Sequence, residues 1–423
     1  MDNKDFDLGE YDKYLTDDDG NISFSKKKEV PKKTNDKKPQ ETVALKKRDD
    51  KRLKIGLGVL CGLAGILEAI CLIMLIKLNM LPGFLLAMII VAFVLLLVII
   101  CTLMFMKSKH RFGKRKIVAT VLAVLTIISC IIGIFMMGKL LGLLGSTIKG
   151  KEISKDQLDD PFIVYLSGSD TRNNELSEGS RSDVNILAVV NPVTHQVLLL
   201  NTPRDYYVQN PNCNNGMDKL THCGLGGVES SMKALEQLYN LEKIDYYGII
   251  NFTGFEKLID SIGGIDIVSD VAFTTEATSN VHINKGQNHL NGFEALAFAR
   301  ERHALASGDF ARGENQMKVI KAIADKFTSS DALIKNYSSI MNSLSGMFET
   351  DTPRLLIQYA VKNQLSDRTD WNIKSYAVTG PLGTAVCASS GEALSVVYQD
   401  EDMINQAKEY ISQVINGEEL NIQ

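Results

Sequence analysis

The chain has 423 residues, with 46 Lys+Arg against 50 Asp+Glu and a formal net charge of −4, a length that excludes one small domain and points to two or three structural units. The near-balance averages two unlike parts. Residues 1–150 carry 24 Lys+Arg and 14 Asp+Glu, whereas the remainder carries 22 and 36, so the front is basic and the back acidic.

Residues 1–52 have few apolar side chains, with acidic Asp17, Asp18 and Asp19 followed by basic clusters at Lys26–Lys28 and Lys46–Arg48. That is too little hydrophobic surface to offset ordering entropy, and a disordered cytoplasmic tail is expected. The tail holds no helix-turn-helix pattern, so no direct nucleic-acid binding is expected, while its basic segments suit an anionic lipid surface.

Three apolar runs follow, Leu53 to Ile76, Gly83 to Met106 and Ile117 to Met137. Each is near or above the roughly 20 residues that cross a bilayer as a helix. Residues 53–148 are therefore read as a three-helix membrane anchor. The first run starts too deep in the chain and is too long for a cleavable signal peptide. Lys46, Lys47, Arg48, Lys51 and Arg52 precede the first run, and Lys107, Lys109, Arg111, Lys114, Arg115 and Lys116 fill the second connection. Basic residues close to a span stay on the cytoplasmic side, so three crossings deliver everything after Lys149 to the outer face. Glu68, inside the first run, must face another helix, water or a proton. Of seven cysteines, Cys61, Cys71, Cys101 and Cys130 lie in the spans as small apolar residues. Cys213 and Cys223 are close enough for a loop-closing disulfide in an oxidising compartment, which leaves Cys387 unpaired.

Residues 149–159 read as a linker and 160–423 as one extracytoplasmic α/β domain, in which strands alternate with amphipathic helices. The strand candidates are Phe162–Gly168, Val184–Asn191, Gln196–Thr202, Tyr246–Phe252 and Trp371–Val378. Helices are expected over Val228–Tyr239, Gly254–Ser261, Gly292–Arg300, Glu314–Ser329, Asp331–Ser343, Pro353–Asn363 and Glu401–Asn416.

Charge gathers where these strands end. Gly168-Ser169-Asp170-Thr171-Arg172 follows the first, Arg181-Ser182-Asp183 opens the second, and Pro203-Arg204-Asp205 closes the third. Open α/β sheets commonly build their sites there. A later group comprises Arg300, Glu301 and Arg302, then Asp309, Arg312 and Gln316. Guanidinium forks suit phosphate oxygens and Asp carboxylates recruit magnesium, so the pattern fits a pyrophosphate with Mg2+. It also fits structural ion pairs, and spacing alone leaves both open. Arg300 and Arg302 can aim together only where their helix unwinds. His195, His222, His282, His289 and His303 have no paired metal-ligand spacing and read as surface or core residues. Gly224-Leu225-Gly226-Gly227 lacks the Lys-Ser/Thr ending of a phosphate loop and reads as a helix-entry turn.

The ordered segments GSDTR, RSDVN, NTPRDYYV, DKLTHCGLGG, DYYGIINFTGFEKLIDSIGGIDI, LNGFEALAFARER and GDFARGENQ, from Gly168 to Gln316, resemble the LytR-CpsA-Psr (LCP) family. The three-span anchor is similar to that of its capsule-type members. The resemblance implies an α-β-α sandwich with a mixed central sheet and a pocket for a polyprenyl chain. It also implies a phosphotransferase that moves a capsule or teichoic-acid glycopolymer from an undecaprenyl-pyrophosphate carrier to the muramic acid of peptidoglycan, at the bilayer surface. Carried over by position, Asp170 and Asp183 match magnesium-binding acids, and Arg181, Arg204, Arg300, Arg302 and Gln316 match pyrophosphate contacts. Arg312 falls in the same motif. Arg204, Arg300, Arg302, Asp183 and Asp205 form the expected catalytic group, with Asp183 or Asp205 as the base. Many members carry an arginine immediately before the motif glutamine, where this chain has Asn315. The rival reading is a membrane-bound regulatory or attenuator protein that senses a polyprenyl-pyrophosphate ligand.

Overall fold

The computed structural model describes residues 38–106, 113–169, 176, 179–276, 280–306, 308–328, 340, 344–367 and 370–422. Three long helices come first, α1 (Lys38–Leu78), α2 (Gly83–Phe105) and α3 (Lys114–Thr147). They are long and apolar enough to cross a membrane over Lys51–Leu78, Gly83–Phe105 and Lys114–Thr147. α1 begins well ahead of Leu53, so residues 38–52 are helical where composition points to a disordered tail. The cause is local: after Pro39, tolerated in a first turn, the stretch has no Gly or Pro and is rich in Glu, Ala, Leu, Lys and Arg. Such a segment lacks a core to pack on, yet it can still wind. The rest of the expected tail, residues 1–37, lies outside the described residues.

Packing divides the chain after Val59, and the second unit, Leu60–Gln423, holds the remaining helices and the whole α/β domain. Inside the helix bundle Glu68 is buried, as an acid in lipid requires. Cys71 Sγ donates to the Cys130 carbonyl at 3.4 Å, and Cys61 Sγ to Met104 Sδ at 3.2 Å.

The α/β domain runs β1 (Phe162–Ser169), β2 (Ser182–Asn191), β3 (Gln196–Asn201), β4 (Tyr207–Asn210), β5 (Gly216–Lys219), α4 (Leu220–Cys223), α5 (Val228–Tyr239), β6 (Tyr246–Asn251) and α6 (Phe252–Ser261). It continues with β7 (Ile265–Ser269), β8 (Phe273–Thr274), β9 (His282–Ile283), β10 (Gly286–Leu290), α7 (Gly292–Arg300), α8 (Asp309–Thr328), β11 (Phe348–Thr350) and α9 (Arg354–Asp367). The last elements are β12 (Asn372–Ala377), β13 (Leu382–Val386), β14 (Ala393–Val397) and α10 (Glu401–Asn416). Six strands form the central sheet in the order β11-β6-β1-β2-β3-β12. β1 is parallel to β6 and β3 to β12, while the other neighbours are antiparallel, so the sheet is mixed.

Both faces of the sheet are covered. One side of each central strand (Tyr165, Leu187, Val189, Leu198, Leu200) packs with α5 and α10 through Leu235, Tyr239, Ala407 and Ile411. The other side (Ile186, Ala188, Leu199) packs against Met317 and Ile320 of α8. Strands buried on two faces are near-continuous apolar runs, which is why VNILAVVN and QVLLL stand out in the sequence. α6, α7 and α8 share a second core with β7 and β10 around Ile259, Ile265, Phe298 and Val319. The α-β-α sandwich with a mixed sheet is thus present.

Caps set the helix limits. Asn251 accepts from Gly254 N–H at 2.7 Å, so α6 starts at Phe252 rather than Gly254. Asn291 and Glu294 form a reciprocal capping box on α7. α8 begins at Asp309 rather than Glu314. A Cβ on its Gly313 would sit 2.1 Å from Asn201 Nδ2, so glycine is what lets the helix approach the end of β3. The expected helix Asp331–Ser343 lies outside the described residues apart from Ile340.

The expected linker is partly absorbed into the sheet. Directly after α3, Ile148 pairs in parallel with Thr350, on the side of β11 away from β6. Lys149 N–H donates to the Thr350 carbonyl at 2.8 Å. At the same end of the bundle, where α1 finishes, Gln358 Nε2 of α9 donates to the Leu78 carbonyl at 2.8 Å.

Leu187 is fully buried and Val193 is 63% exposed, so substitution should separate them. Leu187→Ala is expected to cost about 2–5 kcal/mol of unfolding free energy in urea melts, and Val193→Ala no more than about 0.5 kcal/mol.

Candidate functional site

β1, β3 and β6 end, and antiparallel β2 begins, at the same edge of the sheet. Strand bodies are apolar on both faces, so the charged residues that follow or precede them collect at that edge. There a pocket of about 770 Å³ opens between the sheet and α6, α7 and α8. Its charged lining is Asp183, Arg204, Asp205, Lys219, Arg300, Arg302 and Arg312, with Gln316 beside them. Its apolar lining includes Leu166, Ile250, Leu258, Leu296 and Phe348.

α8 joins the two characters in one element. Arg312, Gln316, Val319, Ile320 and Ile323 all line the pocket. They recur at helical spacing, so one stripe passes from guanidinium through amide to hydrocarbon along a single helix.

Arg204 Nη1 donates to Asp183 Oδ1 at 2.5 Å, and Lys219 Nζ reaches Asp205 Oδ1 at 3.0 Å. Arg204 Nε stands 3.8 Å from the same Asp205 oxygen. That nitrogen is buried with no hydrogen-bond partner among the described residues, which leaves it available to an anion's oxygen. The Arg300 guanidinium lies 4.6 Å from the centre of the Phe252 ring, which orients it and covers its apolar face.

Glu301 explains how Arg300 and Arg302 converge. It is fully buried, and its Oε1 accepts from the N–H groups of Arg302 (2.8 Å), His303 (2.7 Å) and Ala304 (3.0 Å). Its Oε2 accepts from Glu276 N–H at 2.6 Å. α7 ends at Arg300 and Glu301 takes an extended conformation with ψ 134°, so residues 300 and 302 project to one side and 301 to the other. The unwinding that the sequence required is present, held by a carboxylate outside the expected site list.

The structure brings together Asp183, Arg204, Asp205, Arg300, Arg302, Arg312 and Gln316. Arg181 is exposed and is not among the residues that line the pocket. Asp170, the other expected metal ligand, lies outside the described residues. Asn315 donates to the Phe298 carbonyl at 3.3 Å and ties α8 to α7, so the residue that departs from the family pattern is turned from the pocket. The expected Cys213–Cys223 bridge is not formed, and both are free thiols. Cys223 is buried in α4 with its thiol directed to the Lys219 carbonyl at 3.9 Å, whereas Cys213 ends a separate 3-10 turn. Gly224–Gly226 is a 3-10 turn leading into α5, with Gly227 at φ 92°, as a helix-entry turn requires.

Lys219 and Phe252 were not singled out in the sequence. Lys219 could have been found in the DKLTHC segment, as a lysine closing a short hairpin beside the acids. Phe252 carries no chemical signature and is placed only by its helix start.

A model of the LytR_cpsA_psr family matches residues 144–411, well over half of the chain. The chain belongs to the LytR_cpsA_psr family. Among curated members, it is 34% identical over 193 residues to the polyisoprenyl-teichoic acid–peptidoglycan teichoic acid transferase TagU of Enterococcus faecalis, covering 45% of this chain and 62% of that one. It is 33% identical over 261 residues to TagT of Bacillus subtilis, named for the same transfer, covering 56% and 79%. The chain thus spans a little under two thirds of the length of the first of these relatives. The crystal structure of B. subtilis TagV matches with a TM-score of 0.51 at 24% identity, covering 61% of this chain and 98% of that one, a likeness of fold. The pocket, from Leu166 to Phe348, lies wholly inside the LytR_cpsA_psr match.

Glu301→Ala would strip the acceptor from four backbone N–H groups in this LytR_cpsA_psr pocket. It is expected to cost about 2–3 kcal/mol in thermal or urea unfolding, with Glu294→Ala on the exposed side of the α7 cap costing about 1 kcal/mol.

Proposed function

We propose that this chain is a membrane-anchored phosphotransferase that moves an anionic glycopolymer, of capsule or teichoic-acid type, from undecaprenyl pyrophosphate to peptidoglycan. The carrying observation is that one pocket joins a hydrocarbon-lined interior to a cluster of four arginines. A polyprenyl pyrophosphate has the same two parts, a long apolar chain and a doubly charged head group. The names of the TagU and TagT relatives support the polymer class and the acceptor.

In this reading Arg204, Arg300, Arg302 and Arg312 bind the pyrophosphate oxygens, with Gln316 as a neutral donor beside them. A muramic acid 6-hydroxyl attacks the phosphorus that carries the glycan. The new P–O bond to muramic acid forms as the bond to the bridging oxygen breaks, and polyprenyl phosphate leaves with that electron pair. Asp183 or Asp205 takes the hydroxyl proton. The arginines stabilise charge that grows on the transferred group within a poorly solvated pocket.

The donor set suits magnesium, since the hard carboxylate oxygens of Asp183 and Asp205 stand side by side at Arg204. Asp183 would hold the ion with Asp170, and when bound it supplies neutralisation of the pyrophosphate charge. The basic loops put the N-terminus in the cytoplasm and the pocket on the outer face of the cell membrane, where carrier and acceptor meet.

Full-length protein in detergent or nanodiscs, given a synthetic lipid-pyrophosphate saccharide, a peptidoglycan oligomer and magnesium, tests the reaction. Transfer by the wild type is expected, with losses of about 10²–10³-fold in Arg204→Ala and Asp183→Ala. Asp205→Asn separates the two candidate bases, and an unchanged rate would remove Asp205. Magnesium-dependent binding of the carrier without transfer would favour a carrier-sensing regulator instead. For topology, protease added to intact cells should digest the outer domain and spare an epitope fused to the N-terminus. Digestion of the epitope would reverse the orientation.

A further inference from the structure

Three side chains that the transfer reaction does not use meet inside the outer domain. Asp218 lies in β5, His222 one helical turn later in α4, and Cys387 just after β13. All three are buried, and a ligand atom from each lies within 4.8 Å of the other two. His222 Nδ1 is 2.7 Å from Asp218 Oδ1 and 3.1 Å from Ser389 Oγ.

We propose that Asp218, His222 and Cys387 form a structural binding site for a zinc-type divalent cation, which fastens the β13–β14 hairpin to β5 and α4. The donor set decides the class of ion. One carboxylate oxygen, one imidazole nitrogen and one thiolate sulfur suit a borderline cation that accepts all three, and do not suit magnesium or calcium. The fourth position falls to the Ser389 hydroxyl or to water. Charge also favours the assignment, because a carboxylate and a thiolate together balance a dication held by three buried ligands.

The surroundings already orient the ligands. Asn210 Nδ2 donates to Asp218 Oδ2 at 3.1 Å, Ser389 N–H to the same oxygen at 3.0 Å, and Lys219 N–H to Oδ1 at 2.8 Å. Second partners of this kind fix the direction of metal-binding carboxylates. Burial pushes the Asp218 carboxyl upward, but hydrogen bonds from Ser389, His222, Lys219 and Asn210 outweigh it and leave the carboxyl at about 2, so the group is an anion throughout the physiological range.

The same trio has the composition of a thiol nucleophile with its base and orienting acid. Two observations oppose that use. Cys387 has no solvent exposure, and burial followed by the Asp218 charge raises its thiol above the ordinary range, opposite to what activation requires. A cation entering the site displaces the Cys387 thiol proton to solvent, and a neutral His222 shifts its remaining proton to Nε2. Binding therefore tightens as pH rises.

The site reaches the pocket through one peptide bond. Asp218 is followed by Lys219, whose ammonium pairs with Asp205. Ala388 N–H donates to the Met217 carbonyl at 3.0 Å, so the two hairpins are already in register around the trio.

The test uses the full chain purified in detergent, stripped with a chelator and titrated with zinc or with cobalt(II) alone. Stoichiometric zinc by elemental analysis and a thiolate-to-cobalt charge-transfer band are expected in the wild type. Cys387→Ser should abolish the band, and His222→Gln should weaken zinc by about tenfold or more. Cys213→Ser, a neighbouring cysteine outside the trio, should keep both. Zinc should raise the wild-type Tm by several degrees and leave that of Cys387→Ser unmoved. Absence of the cobalt band in the wild type, or equal zinc in wild type and Cys387→Ser, would overturn the site and reduce the trio to a hydrogen-bond network. The wild-type titration stands even if a variant fails to fold.

Discussion

A sheet covered by helices on both faces leaves no place for charge in the middle of its inner strands. Leu187, Val189, Leu198 and Leu200 fill one side, and Ile186, Ala188 and Leu199 the other. An ion at any of these positions would have to be desolvated without a partner. The charged residues of this segment are therefore displaced to strand ends, and the mixed topology brings the ends of β1, β3 and β6 and the start of β2 to one edge. The cluster of Asp183, Arg204, Asp205 and Lys219 follows from that displacement.

The helices then give the cluster its second character. α8 has to cover the sheet with its apolar stripe, yet its first turns reach the charged edge. Arg312 and Gln316 occupy the stripe there, and Val319 and Ile323 occupy it deeper. Glu301 does the corresponding work for α7, ending the helix so that two arginines share a side. Both devices are inexpensive in sequence, since one needs only a stripe that changes composition and the other a single buried acid.

Legibility followed the physical signal. The inner strands β1, β2, β3 and β6 and the helices 228–239, 292–300 and 401–416 were readable because burial on two faces, or on one stripe, imposes long patterns. β11 has three residues and β13–β14 carries Gly383 amid alternating exposure, so neither writes a periodicity. Site residues were legible where charge interrupts an apolar run, as at Asp183 and Arg204. Arg181, just ahead of the same strand, is exposed and outside the pocket lining, a distinction that one-dimensional spacing does not encode. The meeting of His222 with Asp218 and Cys387 was invisible because it depends on the hairpin register, and the absent Cys213–Cys223 bridge depends on where each thiol points.

The pairing of Ile148 with Thr350 fixes the height of the pocket. β11 contributes Phe348 to the pocket wall and, two residues on, accepts the backbone that has just left the third apolar helix. A Cβ at Gly150, two residues after Ile148, would fall 2.0 Å from the Asp351 carbonyl oxygen, so the seam is tight as well as direct. The spacing between the third apolar helix and the pocket is set by a rung of the sheet and not by the reach of a tether. Inserting residues after Thr147 would not raise the domain on a longer stalk. It would unzip an edge strand from the wall of the cavity, and the cavity would pay for the slack.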